Sequence, residues 1–230
     1  MRLKIMTYNI HGARGVDGLR DYARIGALLA AQNIDIALIQ ELDTRPENRG
    51  SAEDIRNLMT DHFPHFAFAP TITASGGWYG NAVLSRFPIL KEQVVDISSK
   101  GREPRNILEV FIQTNSGPLH IVNTHKGLGI LERGKQIRQL NEFLSIKSDV
   151  PLIVGGDINE WHTYSGALRK LNLVLHQVRF GPTFPTAFPV LRLDRMWCRP
   201  WTMVKSSQVL KTSATRLYSD HYPLVLEIEM

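Results

Sequence analysis

Acidic, amide and imidazole side chains occur repeatedly at or near the ends of the short apolar runs of this chain. They are Asn9, Glu41 after LIQ, His125 after VNT, Asp157 and Asn159 after IVGG, Asp194 in VLRLDRMW, and Asp220 and His221 before PLVLEI. Each one alone fits a turn or a helix cap. Together they indicate a functional site, because loops at the strand ends of a rigid scaffold commonly carry catalytic groups.

The residue types suggest the chemistry that such a site could perform. Carboxylate and amide oxygens suit a hard cation such as Mg²⁺ or Mn²⁺, and the chain has no HExxH motif or cysteine cluster that would indicate zinc. Mg²⁺ binds only one or two carboxylates, which leaves other acids free for proton transfer. A histidine beside a carboxylate is a good acid or base, and arginine matches phosphate oxygens. This set predicts metal-assisted hydrolysis of a phosphate ester.

Hydrophobic periodicity predicts the elements that would position these residues. The predicted strands are 3–10, 34–40, 82–84, 107–113, 119–123, 152–154 and 224–228, and the predicted helices are 19–32, 51–62, 132–147 and 167–173. Because strands and helices interleave, the class is α/β or α+β, and we expect two packed sheets with helices outside. No linker or repeat divides the sequence, so residues 1–230 are predicted to form one domain.

The overall composition is that of a globular protein, with 43% hydrophobic and 21% charged residues. The formal net charge of +5 and the pI near 9.4 favour a polyanionic partner. A single cysteine, Cys198, excludes an internal disulfide and fits a reducing compartment. The sequence has no signal-peptide pattern and no apolar run of about 20 residues, so we expect a cytoplasmic protein without a transmembrane segment. We also expect a monomer, because no heptad pattern indicates association.

Eight short motifs follow one another in a recognisable order: TYNIHG (7–12), LIQE (38–41), GNAVLSRFPI (80–89), EPRNILEV (103–110), VNTHKG (122–127), GGDIN (155–159), LDRMW (193–197) and SDHYPL (219–224). In this order, the chain resembles the endonuclease/exonuclease/phosphatase superfamily, also called deoxyribonuclease-I-like. The resemblance covers essentially the whole chain. It implies an α/β fold of four layers, in which two mixed β-sheets are flanked by helices and the site lies at one edge.

The resemblance also implies which residues bind the metal and activate water. Glu41 would be the main ligand of Mg²⁺ or Mn²⁺, supported by Asn9 and by Asp220. Asp157 would position or activate the attacking water. Asn159 would bind a phosphate oxygen.

A second group of roles concerns the scissile phosphate. The resemblance implies that His221 contacts the phosphate and is oriented by Asp194. His125 would assist the leaving group. Arg105 matches the phosphate-binding arginine of the family better than Arg102 does.

Two features depart from parts of the superfamily. Position 11 is a histidine, where the abasic-site endonucleases carry an acid, and this argues against close kinship with that branch. The histidine of VNTHKG points instead to the deoxyribonuclease, sphingomyelinase and phosphatase branches. The chain is also short for the family, so long substrate-reading insertions are absent.

The leading hypothesis for the substrate is a nucleic acid, with DNA favoured over RNA and internal cutting favoured. It rests on the basicity and on cations in loops expected near the site, namely Arg14, Lys100, Arg102, Lys126, Arg195 and Arg199. Trp78 and Tyr79, in a glycine-flanked loop, could stack on a base, although core packing is the commoner role of such a pair.

Two alternatives stay open at this stage. The same cations could face a phospholipid headgroup or a small phosphorylated metabolite. A non-catalytic binding module would be expected to lack some site residues, whereas all eight residues of the strand-end set are present.

Overall fold

The computed structural model describes residues 1–145, 149–161 and 165–230. The strands are β1 (Arg2–Asn9), β2 (Ile36–Asp43), β3 (His65–Ala74), β4 (Gly77–Ser85), β5 (Ile89–Asp96), β6 (Asn106–Thr114), β7 (Gly117–His125), β8 (Leu152–Asp157), β9 (His176–Val178), β10 (Asp194–Arg199), β11 (Val204–Val209) and β12 (Leu224–Glu229). The α-helices are α1 (Tyr22–Ala31), α2 (Glu53–Met59), α3 (Ile130–Leu144), α4 (Gly166–Val174) and α5 (Ser213–Tyr218).

The strands form two six-stranded mixed sheets. The first has the order β11-β12-β1-β2-β4-β3, and the second has the order β5-β6-β7-β8-β10-β9. Each sheet contains one parallel pair at its centre, β1 with β2 in the first and β7 with β8 in the second. The neighbouring pairs are antiparallel.

The side-chain alternation of the strands explains the layers. Leu3 and Ile5 of β1 pack between the sheets, in a core shared with side chains of β6, β7, β8 and β10. Met6 and Tyr8 point to the other face, where they pack against α1 and α2. On the far side, α3 and α4 cover the second sheet. The result is a four-layered α/β sandwich, which confirms the predicted fold class.

Buried polar side chains also join the two sheets directly behind the strand ends. Gln40 Nε2 donates to Asn123 Oδ1 at 2.7 Å and to Thr7 Oγ1 at 3.0 Å. Asn123 Nδ2 in turn donates to the carbonyl oxygens of Ile39 and Ala82. Because such fully buried groups are costly to leave unpaired, this network fixes the spacing of the two sheets next to the site.

The predicted helices and strands agree with the structure except at several ends. The helix expected from residue 19 begins at Tyr22, and the helix expected to residue 147 is described only to Leu144, since 146–148 lie outside the described residues. Just before and at the start of α2, the Asp54 carboxylate accepts from the Ser51 N–H and pairs with Arg20. Strands β3, β5, β9, β10 and β11 and helix α5 were not predicted. No helix among the described residues is long and apolar enough to cross a bilayer.

Candidate active site

The predicted site residues converge at one edge of the sandwich. In the second sheet, His125 at the end of β7 lies opposite Asp157 at the end of β8, and Asp157 lies opposite Asp194 at the start of β10. The end of β1 in the first sheet faces this row, since Asn9 hydrogen-bonds to Asp157 across 148 positions of sequence. The two parallel pairs therefore deliver their carboxyl ends to the same place.

Glu41 lies on a β-bulge of β2. Between the paired positions, β2 advances from Ile39 to Leu42 while β4 advances only from Ala82 to Gly80, which leaves one extra residue on β2. Glu41 has a φ of +59°, a left-handed conformation that is unfavourable for a residue with a Cβ. Such strain costs on the order of 1–3 kcal/mol and concentrates at functional sites.

Asn9 holds two carboxylates side by side. Its Nδ2 donates to Glu41 Oε1 at 2.8 Å and to Asp157 Oδ2 at 3.0 Å. Its Oδ1 accepts from the backbone N–H of His11 at 3.1 Å, which fixes the orientation of the amide. In this arrangement Asn9 positions the two acids, and its predicted role as a metal ligand stays a prediction.

The local structure of GGDIN explains how Asp157 and Asn159 are placed. Gly156 is required because a Cβ there would lie 1.8 Å from the carbonyl oxygen of Thr124 on the adjacent strand. Asp157 Oδ1 accepts from the Asn159 N–H at 2.9 Å, which turns the chain immediately after β8. Asn159 Nδ2 donates to the Lys126 carbonyl at 2.8 Å and lies 3.2 Å from His125 Nε2. Binding of a phosphate oxygen by Asn159 would therefore replace the longer contact to His125.

His221 and Asp194 form a buried pair. His221 Nδ1 lies 2.8 Å from Asp194 Oδ2, and His221 Nε2 lies 3.7 Å from Asp157 Oδ2. Burial by itself lowers the pKa of His221, but the carboxylates of Asp194 and Asp157 outweigh burial and raise the pKa to about 10. The imidazole is thus held as a cation that points at Asp157.

His125 has the opposite electrostatic character. Burial and the positive charge of Arg105 lower the pKa of His125 to about 3, despite the nearby Asp157 carboxylate. Its Nε2 faces the amide nitrogen of Asn159, which fits an acceptor rather than a donor. The structure therefore brings His125 into the site as a neutral imidazole, and His221 is the better proton donor of the two.

A cleft of about 330 Å³ opens onto these groups. Its lining consists of Glu41, Tyr79, Glu103, Arg105, His125, Leu128, Asp157, Asn159, Trp161, Phe184, Leu191, Leu193 and His221. Arg105 is buried and pairs with Glu103, while its Nε has no hydrogen-bond partner in the described part of the chain. The exposed Arg102 lines a different depression. Of the two arginines, Arg105 is therefore the one that lines the cleft, and its binding of a phosphate stays a prediction.

Ser219 explains why the SDH turn is so closely held. Its Oγ donates to the Asn9 carbonyl at 2.7 Å and accepts from the His221 N–H at 3.2 Å, so it ties the last motif to the first. The Asp220 carboxylate lies 3.8 Å from His11 Nδ1 and 3.3 Å from Ser219 Oγ. Asp220 is thus near the Asn9 end of the site, and its support of a metal stays a prediction.

The structure corrects the prediction that six cations surround the site. Lys126 and Arg195 are buried. Arg199 lies at the opposite end of β10 from Asp194, opposite Leu152 in register. These positions could not be told apart by sequence because all three residues adjoin apolar runs. Only Arg14, Lys100 and Arg102 of the six are exposed.

The tryptophan and tyrosine residues differ in where they lie relative to the cleft and the core. Trp78 packs on Phe68, with ring centroids 5.1 Å apart, so it belongs to the hydrophobic layer rather than to a base-stacking platform. Tyr79 lines the cleft. Trp197 is fully buried and Trp201 is exposed.

Sequence reasoning missed the residues that flank the acids in the cleft. Leu128, Trp161 and Phe184 line it, but none of them stands in a pattern that separates a cleft wall from a core position. It also missed Arg133 and Glu160, which are buried with Lys126 beside the site. A run of charged residues flanking a predicted strand end was the only signal available.

A family model described as the Endonuclease/Exonuclease/phosphatase family matches residues 6–221. The chain belongs to this family. Its members are hydrolases that act on phosphoester bonds and depend on a divalent metal.

Three known proteins illustrate how similar this chain is to others in sequence and in fold. The Escherichia coli K12 protein named "Uncharacterized protein YbhP" is 28% identical, over 99% of this chain and 96% of its own length. A Bacteroides thetaiotaomicron mannosyl-6-phosphatase, Bt3783, has a TM-score of 0.76 at 19% identity, covering 99% of this chain and 100% of its own. D. rerio TDP2 in complex with a single-strand DNA product has a TM-score of 0.74 at 18% identity, covering 100% and 99%. At these identities the two structures show a shared fold.

The residues present fit the divalent metal on which the family depends. Burial raises the pKa of Glu41, and the adjacent Asp157 charge raises it further, so a cation beside Glu41 would relieve both effects. Asp157, Asp194 and His221 also place ligand-type atoms within 4.8 Å of one another. That trio is less suited to a cation, because the His221 nitrogen nearest the carboxylates is hydrogen-bonded to Asp194.

Proposed function

We propose that the protein is a divalent-metal-dependent phosphodiesterase, and that residues 1–230 act as one catalytic domain. The observation that carries this proposal is the position of Asp157, whose Oδ2 lies within 3.7 Å of Asn9 Nδ2, His125 Nε2 and His221 Nε2. A carboxylate so placed accepts a proton from water next to groups that bind a phosphate.

The reaction would be an in-line attack on phosphorus. Asp157 orients the water and takes its proton, and Asn9 keeps the Asp157 carboxylate in place. The His221 cation and Arg105 stabilise the charge that develops on the phosphate oxygens. Preorganised donors of this kind each contribute about 10²–10³-fold in rate. Asp194 keeps His221 charged and oriented, and the protonated His221 supplies a proton to the leaving oxygen.

Glu41 would hold the metal, with Asn9 Oδ1 and Asp220 as the further predicted ligands. Bound Mg²⁺ or Mn²⁺ would neutralise negative charge on the phosphate and the leaving oxygen. The β-bulge fixes the position of Glu41, and Asp157 lies beside it. The repulsion between these two carboxylates favours binding of a cation.

A nucleic acid, with DNA preferred and internal cutting, is one candidate substrate. It is supported by the exposed Arg14, Lys100 and Arg102. A cavity of about 830 Å³, which Asp194 also lines, adds Arg169 and Arg179. Backbone phosphates would gain affinity from such charges in a salt-dependent way.

A phosphoester at a phospholipid headgroup is the second candidate. It is favoured by the exposed apolar side chains that border the cleft, among them Leu128 and Trp161. Aliphatic groups such as Leu128 add little to recognition of a phosphate backbone, which depends on charge, whereas Trp161 could serve a nuclease by stacking on a base. The cytoplasmic location and the monomeric state stay predictions.

The experiment is a comparison of substrates on one preparation. Supercoiled plasmid, phospholipid vesicles and a phosphomonoester panel are each incubated with Mg²⁺, with Mn²⁺ and with chelator, and Asp157→Asn serves as the inactive control. Metal-dependent turnover of plasmid or phospholipid that Asp157→Asn abolishes supports the proposal, and the substrate that turns over decides between the two candidates. Turnover of phosphomonoesters alone would contradict a phosphodiesterase. Chelator-resistant turnover, or no turnover of any phosphoester, would refute it.

A further inference from the structure

Six large apolar side chains stand exposed around the mouth of the cleft. We call them the apolar rim: Leu128, Ile130, Leu131, Trp161, Phe188 and Val190, each between 57% and 90% exposed. They come from three separate segments of the chain. Each segment also contributes to the cleft lining, through Leu128, through Trp161, or through Phe184 and Leu191. Each of the three segments that carry the rim is therefore also part of the cleft wall.

One of the segments that carry the rim is held in place by backbone hydrogen bonds. In the Phe184–Leu191 hairpin, the N–H groups of Val190 and Leu191 both donate to the Phe184 carbonyl, at 3.0 and 2.9 Å, and the Phe188 N–H donates to the Pro185 carbonyl at 3.1 Å. The tip thus presents Phe188 and Val190 to solvent in a defined conformation. The backbone of the hairpin therefore keeps Phe188 and Val190 exposed.

The second segment is the start of α3. Ile130 and Leu131 form its first turn, directly after Gly129, whose N–H donates to the Glu132 carboxylate. A first helical turn in solvent usually carries polar or acidic side chains. Leu131 is instead the most exposed large apolar residue in the described part of the chain.

Positive charge adjoins these apolar groups. Lys100, Arg102 and Lys135 line a depression of about 400 Å³ together with Ile130 and Leu131. The only acid in that lining, Glu132, is largely buried and accepts hydrogen bonds from Gly129 and Gln136. The surface therefore combines exposed apolar side chains with cations whose one acidic neighbour in the lining of the depression, Glu132, is buried.

We propose that the apolar rim docks the protein onto an anionic phospholipid bilayer, with the mouth of the cleft facing the headgroups. This rests on the proposed phosphodiesterase function, since it names the surface at which that site would work. Exposed apolar clusters rimmed by polar residues mark interaction sites. A bilayer is the partner that uses both parts, because apolar side chains enter the headgroup and acyl boundary while lysine and arginine approach the lipid phosphates.

The test measures binding of the full chain to sedimented vesicles of phosphatidylcholine alone and of phosphatidylcholine mixed with phosphatidylglycerol. Leu131→Glu/Phe188→Glu breaks the rim at two positions that do not line the cleft. Leu173→Glu is the matched control, because Leu173 is equally exposed, on α4, and lines none of these cavities. Hydrolysis of a soluble diester, bis(p-nitrophenyl) phosphate, is followed for every variant.

We expect the wild type to bind the mixed vesicles. The partition coefficient of Leu131→Glu/Phe188→Glu should be about tenfold or more below that of the wild type, and the partition coefficient of Leu173→Glu should equal it. Lys100→Gln/Arg102→Gln should weaken binding to the mixed vesicles and reduce its salt dependence. Soluble-diester hydrolysis should be unchanged in Leu131→Glu/Phe188→Glu and in Leu173→Glu.

The proposal is overturned if the wild type stays in the supernatant, or if Leu173→Glu and the double variant lose binding equally. It is also overturned if the double variant retains vesicle binding but loses binding to single-stranded DNA, or instead abolishes a dimer in sedimentation. Vesicle binding without hydrolysis of any diester would sink the proposed function and leave the docking surface standing. Hydrolysis without vesicle binding would do the reverse.

Discussion

The floor of the cleft and its rim reverse the usual distribution of residues in a protein. The floor, formed by Glu41, Asp157, Asp194 and His221, is polar and largely withdrawn from solvent, and its groups are hydrogen-bonded to one another or to Asn9. The rim is apolar and exposed, and nothing in the described chain covers it. Buried charge and exposed apolar surface are both costly in isolation. Each region is therefore explained best by something that arrives from outside, a metal and phosphate for the floor and a lipid surface for the rim.

Substitutions in the floor and in the rim should have different effects on activity. A floor variant should lower the rate on every substrate, soluble or vesicle-bound. A rim variant should lower only the rate on substrates in a bilayer. A floor variant that affected vesicles alone, or a rim variant that affected a soluble diester, would break the distinction.

The largest effect is expected from Asp157→Asn. The substitution keeps the volume and the contacts with Asn9 and Asn159 largely possible, but it removes the proton acceptor. We expect kcat on bis(p-nitrophenyl) phosphate to fall by about 10³-fold or more. Thermal unfolding should show a Tm close to that of the wild type. Asp61→Asn, at an exposed acid far from the cleft in sequence, is the control and should leave kcat unchanged.

A loss of folding in Asp157→Asn would instead make Asp157 a structural residue. Its carboxylate links Asn9 of the first sheet to the second sheet, so this outcome is a real alternative. Circular dichroism of the purified variant separates the two cases. Full activity in a folded variant would remove Asp157 from the mechanism altogether.

A smaller loss is expected from Asp194→Asn. In the proposed mechanism Asp194 acts on the phosphate only through His221, whose Nδ1 lies 2.8 Å from Asp194 Oδ2. Without that carboxylate, burial would lower the pKa of His221 from about 10, and the imidazole would lose its proton near neutral pH. We expect kcat to fall by about 10²-fold at neutral pH, with part of the rate recovered as the pH is lowered.

The measurement is the pH profile of kcat for the wild type and for Asp194→Asn. His221→Ala provides the comparison, since it removes the group on which Asp194 acts. If Asp194→Asn and His221→Ala have additive effects in the double variant, Asp194 does not work through His221. A flat pH profile for Asp194→Asn would contradict the stated role of the carboxylate.

The floor was predictable from the sequence, and the rim was not. Asp157, Asp194 and His221 stand in short motifs at the ends of apolar strands, and chemistry restricts such positions to a few residue types. The rim residues are ordinary leucine, isoleucine, valine and aromatic side chains. Ile130 and Leu131 fit a buried helix face as well as an exposed turn, since periodicity gives a face and not its surroundings.

The bulge at Glu41 and the burial of Lys126 were beyond sequence reasoning for a related reason. A β-bulge depends on the register of β2 against β4, which is set by the whole sheet. Lys126 follows His125 in a motif, and a lysine next to a strand end is normally exposed. Only the packing of α3 and β10 around it shows that it is buried, between Arg133, Arg195 and Glu160.

The smallest effect on activity is expected from substitution of Lys126, which tests whether this buried side chain belongs to the floor of the cleft. Its backbone serves the site, since its N–H donates to the Asp157 carbonyl at 2.9 Å and its carbonyl accepts from Asn159. Its side chain does not, because Nζ is fully buried and has no hydrogen-bond partner among the described residues. Lys126→Met should therefore change kcat by less than about threefold, within the usual range for a side chain outside the chemistry.

The effect of Lys126→Met should appear in the pH dependence of stability instead. Burial lowers the pKa of Lys126 to about 7, whereas the unfolded chain keeps the ordinary value near 10.4. Between these values the unfolded state binds more protons, so the free energy of unfolding of the wild type should rise with pH, by up to about 1.4 kcal/mol per pH unit. Below pH 7 both states are protonated and the burial penalty is felt in full. Urea unfolding from pH 7 to 9 should show this rise of the free energy of unfolding in the wild type and in the exposed control Lys170→Met. Lys126→Met should show a smaller rise. An equal rise in all three proteins would mean that the Lys126 amine stays charged in the folded protein.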